Sequence, residues 1–114
     1  MGWKYEFDEG KELVLATSSK IGQPNANIVV SLGFVDGGLL IADCQMDTTI
    51  KNLQENPEVC LISGYLRVKG KAEIFPAGKY FDMCSEKSKD YKVKNAILVS
   101  IWDVFDLDKV KKVL

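Results

Sequence analysis

Residues 25–57 carry two apolar runs, a turn and a helix start in immediate succession, and this order restricts the fold more than any other part of the chain. Residues 25–34 and 39–43 read as strands. The turn Asp36-Gly37-Gly38 joins them, because Asp and Gly take the positive backbone angles of a tight hairpin. A helix is predicted from near Asp47 to just before Pro57, with Asp47 or Thr48 as its N-cap and Ile50 and Leu53 three apart. A strand that runs into a helix start gathers unpaired backbone N–H groups, here beside the hydroxyls of Thr48 and Thr49. The helix dipole favours an anion at such a point. A phosphate is therefore expected there.

The rest of the chain extends the β pattern. Residues 13–18 form a short apolar strand, and residues 20–24 a turn containing Gly22. Along 25–34, Asn27, Val29 and Ser31 share one face, and Ala26, Ile28 and Val30 the other. Residues 59–63 make a fourth strand, ended by Gly64. Residues 65–75 alternate clearly, with Leu66, Val68, Gly70, Ala72 and Ile74 set against Arg67, Lys69, Lys71 and Glu73. Pro76 opens a second helix that runs to about Lys89, and residues 96–105 form a sixth strand. The polar run 85–94 reads as a solvated helix end and loop. Leu107, Val110 and Leu114 stand at helical spacing, so a terminal helix is predicted. Trp3, Tyr5 and Phe7 fit either a strand or a helix. Six short strands joined mostly by hairpins, with two or three short helices, predict a mainly β domain spanning residues 1–114, a closed or nearly closed antiparallel barrel.

Composition removes several classes of function. Fifteen basic residues against sixteen acidic ones give a net charge of −1, with no pull toward nucleic acid or anionic lipid. Histidine is absent, which excludes His-based triads and His-rich metal sites. Cys44, Cys60 and Cys84 are odd in number and widely spaced, which suits small buried hydrophobes in a reducing compartment. No apolar run has signal-peptide or membrane-spanning character, so a cytoplasmic protein is expected.

Three features carry candidate chemistry. The helix start offers backbone N–H groups, Thr48, Thr49 and the Lys51 ammonium to an anion, though Asp47 and Thr48 equally serve as ordinary caps and the Asp47 carboxylate opposes a phosphate. Arg67 is the sole arginine; its guanidinium suits bidentate phosphate contact, or simply a solvated strand face. Trp102, on an apolar strand, fits stacking on a planar ligand or packing in a core or dimer seam.

The order Leu15-Ala16-Thr17-Ser18, Gly22-Gln23-Pro24-Asn25, the hairpin, Lys51-Asn52-Leu53-Gln54-Glu55-Asn56-Pro57-Glu58-Val59, then Arg67-Val68-Lys69-Gly70-Lys71-Ala72-Glu73 resembles the pyridoxamine 5′-phosphate oxidase-like family of FMN-binding split barrels. The resemblance covers residues 13–75, and 97–107 is similar to the family's last strand. It implies a split antiparallel six-stranded barrel and a homodimer with FMN at the subunit interface. By the same resemblance, Asn27, Ile28, Val29, Val30 and Ser31 line the isoalloxazine ring. Asp43, Thr48 and Thr49 hold the ring edge and phosphate with Lys51 close by, and Arg67 falls where the family often places a polar residue that reaches the flavin; in such a flavoprotein an aromatic such as Trp102 is expected to shield the ring from the partner subunit. Many members carry an arginine where Asn27 stands and an Arg-Lys pair where Thr48-Thr49 stands, which leaves Lys51 and Arg67 to supply charge. The oxidase's own substrate-holding basic and histidine residues have no counterpart. The implied function is electron or hydride transfer through bound flavin, with no dedicated acid or base and the redox partner unspecified. A deazaflavin-binding reductase, or a non-enzymatic ligand-binding or sensor module without flavin, is the alternative.

Overall fold

The computed structural model describes residues 2–114. A short 3-10 turn, Trp3–Phe7, buries Phe7 under the sheet and leads into strand β1, Glu12–Ser18. Next come β2 (Pro24–Val30), β3 (Phe34–Val35) and β4 (Gly38–Asp43), then helix α1 (Thr48–Glu55). They are followed by β5 (Glu58–Ser63), β6 (Leu66–Phe75), helix α2 (Lys79–Lys87), β7 (Asn95–Asp106) and β8 (Lys111–Lys112). All pairings are antiparallel, in the order β2-β1-β5-β6-β7-β4-β3 with β8 on β7. The expected mainly β split-barrel class holds. Among the described residues its strands number eight rather than six, the additions being the two-residue β3 and β8.

The run 25–34 is not one strand. β2 pairs with β1, while β3 pairs with β4, so the chain crosses between the two edges of the sheet at residues 31–33. Ser31 makes the crossing. Its N–H donates to Lys11 O (2.8 Å), and the next amide, Leu32, donates to Leu40 O (2.9 Å) on the other side. Its hydroxyl donates to Phe7 O (2.7 Å) and accepts from Gly33 N–H (3.0 Å), with Gly33 at φ +93°. Before this crossing the outer edge of β2 has no strand beside it. A gap therefore opens between β2 and the end of β4.

The hairpin turn is two residues long, since Val35 pairs with Gly38. Asp36 and Gly37 take φ of 52° and 83°, as a type I′ turn requires. In β7, Trp102 is the extra residue of a bulge, because Lys69 pairs with Asp103 and Gly70 with Ile101. A Cβ on Gly70 would lie 2.5 Å from Ser100 O, so the glycine is what lets the two backbones approach.

The main core gathers Leu13, Leu15, Leu39, Ile41, Leu61, Val68 and Val99 inside the curved sheet, with Leu53 of α1 as a plug. A second cluster of Leu40, Cys84, Val93 and Ala96 lies between α2 and the outer face of β4 and β7. α2 begins at Lys79 rather than Pro76, after Gly78 at φ +97°. The terminal helix predicted for 106–114 does not form. Leu107 N–H donates to Tyr65 O (2.8 Å) and Val113 N–H to Val104 O (2.8 Å), so main-chain pairing on β7 overrides the local spacing. No helix among the described residues is long and apolar enough to cross a membrane.

Candidate functional site

The gap beside β2 is a cleft of about 780 Å³, within the range of small-molecule sites. One wall is β2, contributing Asn25, Asn27, Ile28, Val29 and Val30. The floor is the turn from Cys44 to Thr49, and the far wall is Lys87–Tyr91, at the end of α2 and in the loop after it. As an edge strand, β2 turns alternate N–H and C=O groups away from β1 into this space.

The start of α1 is built to stay open. Thr49 is buried, and its hydroxyl donates to Asn27 Oδ1 (2.9 Å) while accepting from Asn25 Nδ2 (3.3 Å), which anchors the helix to β2. Asn52 Nδ2 donates to Thr17 Oγ1 (3.1 Å) and ties the next turn to β1. Asp47 occupies the N-cap position without a side-chain cap bond, and its carboxylate pairs with Lys51 instead (3.4 Å). Among the described residues, the N–H groups of Thr48, Thr49 and Ile50 meet no protein acceptor, and the exposed Thr48 hydroxyl stands beside them. Four groups are thus free to donate at one point. The Asp47–Lys51 pair is exposed, so turning Lys51 toward an anion costs little.

Asp43 is fully buried and does not face the cleft. Its carboxylate accepts from Met46 N–H (2.8 Å) and Asn95 Nδ2 (2.7 Å), which fixes the floor turn against β7. Of the eleven residues expected from sequence, the structure brings Asn27, Ile28, Val29, Val30, Thr48 and Thr49 to the cleft. Lys51 lies one helical turn on from Asp47, outside the lining. Asp43 and Ser31 are buried supports of the walls, Ser31 bonded to backbone groups and Asp43 to the Met46 N–H and the Asn95 side chain. Arg67 lies on the outer face of β6 with its guanidinium 5.0 Å over the Phe105 ring and its Nε without an acceptor. Trp102 is half exposed on the bulge. Neither lines the cleft.

Sequence reasoning missed Asn25 and the whole far wall, Lys87 to Tyr91. The signal for that wall was Tyr91, an aromatic residue inside an otherwise charged run. Cys44 also lines the cleft, but burial pushes its thiol up and the neighbouring Asp43 carboxylate adds to the effect, so it stays protonated near neutrality. Burial, then Cys44, pushes the Cys84 thiol up to about 11. No cluster of three metal-ligating side chains exists among the described residues. What the cleft offers is binding: donors for an anion at one end, and an apolar slot beside an unpaired strand edge.

Residues 6–104 match the family model described as pyridoxamine 5′-phosphate oxidase. The chain belongs to this family. An uncharacterized protein of Methanocaldococcus jannaschii is 33% identical over 111 residues, a match covering 87% of this chain and 74% of that one. Three solved structures share the family fold at low identity. HupZ of Group A Streptococcus has a TM-score of 0.81 at 18% identity, with 90% of each chain covered. An F420 reductase has a TM-score of 0.69 at 19% identity, covering 91% of this chain and 96% of that one. An FMN-binding protein of Syntrophomonas wolfei has a TM-score of 0.67 at 18% identity, covering 82% of this chain and 74% of that one.

Proposed function

We propose that this member of the family is an FMN-binding flavoprotein that transfers electrons or hydride and works as a homodimer with its site at the subunit interface. The observation that carries the reading is the helix start in the cleft, where Thr48, Thr49 and Ile50 present unpaired N–H groups next to an unpaired strand edge. Family membership supports it, as does the likeness to an FMN-binding fold. A bound flavin supplies the redox chemistry. The chain's part is positional. The α1 N–H groups and the Thr48 hydroxyl hold a phosphate, Lys51 swings from Asp47 to offset its charge, and the edge of β2 orients the ring.

The dimer reading rests on the outer face of β1 and β5, where Val14 and Ile62 pair across the strands with both side chains exposed. A second copy on this face buries that pair and brings Arg67 and Trp102 toward the cleft of the other chain.

A deazaflavin is the second reading. At the helix start Lys51 is the only cation in the first turn and Asp47 already neutralises it, so a singly charged phosphodiester is held more easily than a phosphate dianion. The likeness to an F420 reductase supports it.

The test is a visible spectrum of the purified protein, taken after FMN is added and unbound flavin is removed by gel filtration. Retention of flavin equimolar with the subunit is expected, and Thr48→Glu should abolish it by setting a second carboxylate beside the phosphate. A wild-type protein that comes through colourless, yet retains a deazaflavin, favours the second reading. One that retains neither supports a ligand-binding module outside redox chemistry.

A further inference from the structure

Tyr91 lines the cleft from the loop between α2 and β7, and 70% of its surface is in water. Across the cleft stand Ile28 and Val30, which are 70% and 48% exposed. An aromatic ring and two aliphatic side chains thus border one space, each left bare by the chain itself. Apolar surface on two sides of a cleft suits a flat ring with two apolar faces, because such a ligand removes both surfaces from water at once. Tyr91 does not dangle. Its N–H donates to Ser88 O (3.0 Å), Val93 is buried against the α2 cluster, and Lys94 N–H donates to Asp43 O (2.8 Å). Asn95 Nδ2 donates to the Asp43 carboxylate, which also accepts from Met46 N–H on the cleft floor. One buried aspartate therefore fixes both the floor and the root of the loop that carries Tyr91, and so the width of the space between them.

We propose that Tyr91 forms the second face of a slot for a planar ring, so that the ligand's isoalloxazine lies between the Tyr91 phenol and the Ile28–Val30 surface of β2. This deepens the flavin reading above and rests on it. Asp43 acts as a positioning residue and Tyr91 as the contact.

The experiment titrates the full chain with FMN and with riboflavin while following flavin fluorescence, which stacking against a phenol quenches. Tyr91→Ala should bind FMN about three- to tenfold more weakly, the range expected for loss of one aromatic stack, and leave more emission from the bound flavin. Tyr91→Phe should retain the affinity, since the ring still stacks, but lose the quenching, since a phenyl ring does not donate an electron to the excited flavin as a phenol does. Tyr65→Ala removes an equally exposed tyrosine from the turn after β5, outside the cleft, and should match the wild type. A Tyr91→Ala chain that binds and quenches as the wild type does overturns the slot and leaves the flavin site standing. So does one whose weaker binding is matched by dissociation of its dimer in sedimentation. A wild-type chain that takes up neither flavin overturns the flavin site itself.

Discussion

β2 and β4 border the same split but are buried in opposite ways. In β4, Leu39 and Ile41 point into the main core, while Leu40 is sealed under α2 with Cys84 and Val93. In β2, Val29 alone is buried; Asn25 and Asn27 turn toward α1, and Ile28 and Val30 turn out to water. The chain provides a helix to cover the outer face of β4 and β7. It provides none for β2, β1 and β5. The difference separates two uses of apolar residues in one sheet: those under α2 stabilise the single chain, and those on β2, β1 and β5 are available to a ligand or a second copy.

The largest effect that follows lies on the covered side. Leu40→Ala empties a fully buried site under α2 and is expected to cost about 2–5 kcal/mol. Urea denaturation at several protein concentrations checks it; a loss below about 1 kcal/mol would mean that α2 collapses onto β4 and covers it only loosely. On the uncovered side, Ile62→Glu is expected to change chain stability by less than about 1 kcal/mol, since Ile62 is exposed and a glutamate there faces Arg67 on β6. Its effect should instead appear as dissociation in sedimentation velocity. A variant as dimeric as the wild type places the interface elsewhere.

The smallest effect concerns how the cover is fastened. Lys79 Nζ (2.7 Å) and Tyr80 Oη (2.8 Å) both donate to Asp36 in the hairpin turn, pinning the first turn of α2. The hydrogen bond from Lys79, then that from Tyr80, holds the Asp36 carboxyl below its ordinary range, and the bond to Asp36 holds Lys79 above its own. The depressed acid stabilises above its unfolded value and loses that contribution as pH falls through the folded one. The raised amine stabilises below its unfolded value and loses it as pH rises through the folded one. Asp36→Asn should therefore lower the denaturation midpoint slightly between the ordinary carboxylate and ammonium ranges, and not at either extreme. An equal loss at pH 2 would assign the effect to the turn's backbone rather than to the charges. The paired side chains stand in solvent, so screening keeps the effect small.

Much of the fold was legible because local pattern and tertiary partner agree. The alternation of β6, the Asp36-Gly37 turn and the start and stop of α1 all appear where the residues put them. The break in 25–34 was not legible, since a period of two persists through the crossing and says nothing about which neighbour a strand pairs with. Ser31 reads as one more residue on a mixed face, yet it is buried by a bond to Phe7, far off in sequence. The helical spacing of Leu107, Val110 and Leu114 was real as a pattern, but it lost to strand pairing with β7. In the site, the start of α1 was legible as a strand, β4, running into a helix, and the β2 residues were reached through the family resemblance. The wall carrying Tyr91 was not, because it belongs to a polar loop whose place depends on Asp43 and Asn95 meeting across the sheet.

The crossing at Ser31 and Leu32 joins the two sheet edges through consecutive amides, and before it β2 lacks a partner strand along its outer edge, over the length of the cleft. A ring seated there, as proposed, would fill the place of a missing strand, its polar edge taking hydrogen bonds that a neighbouring backbone otherwise would. Ligand and fold are then linked, so that occupancy raises the melting temperature with ligand concentration, and the stability of the barrel itself reports whether its last stave is in place.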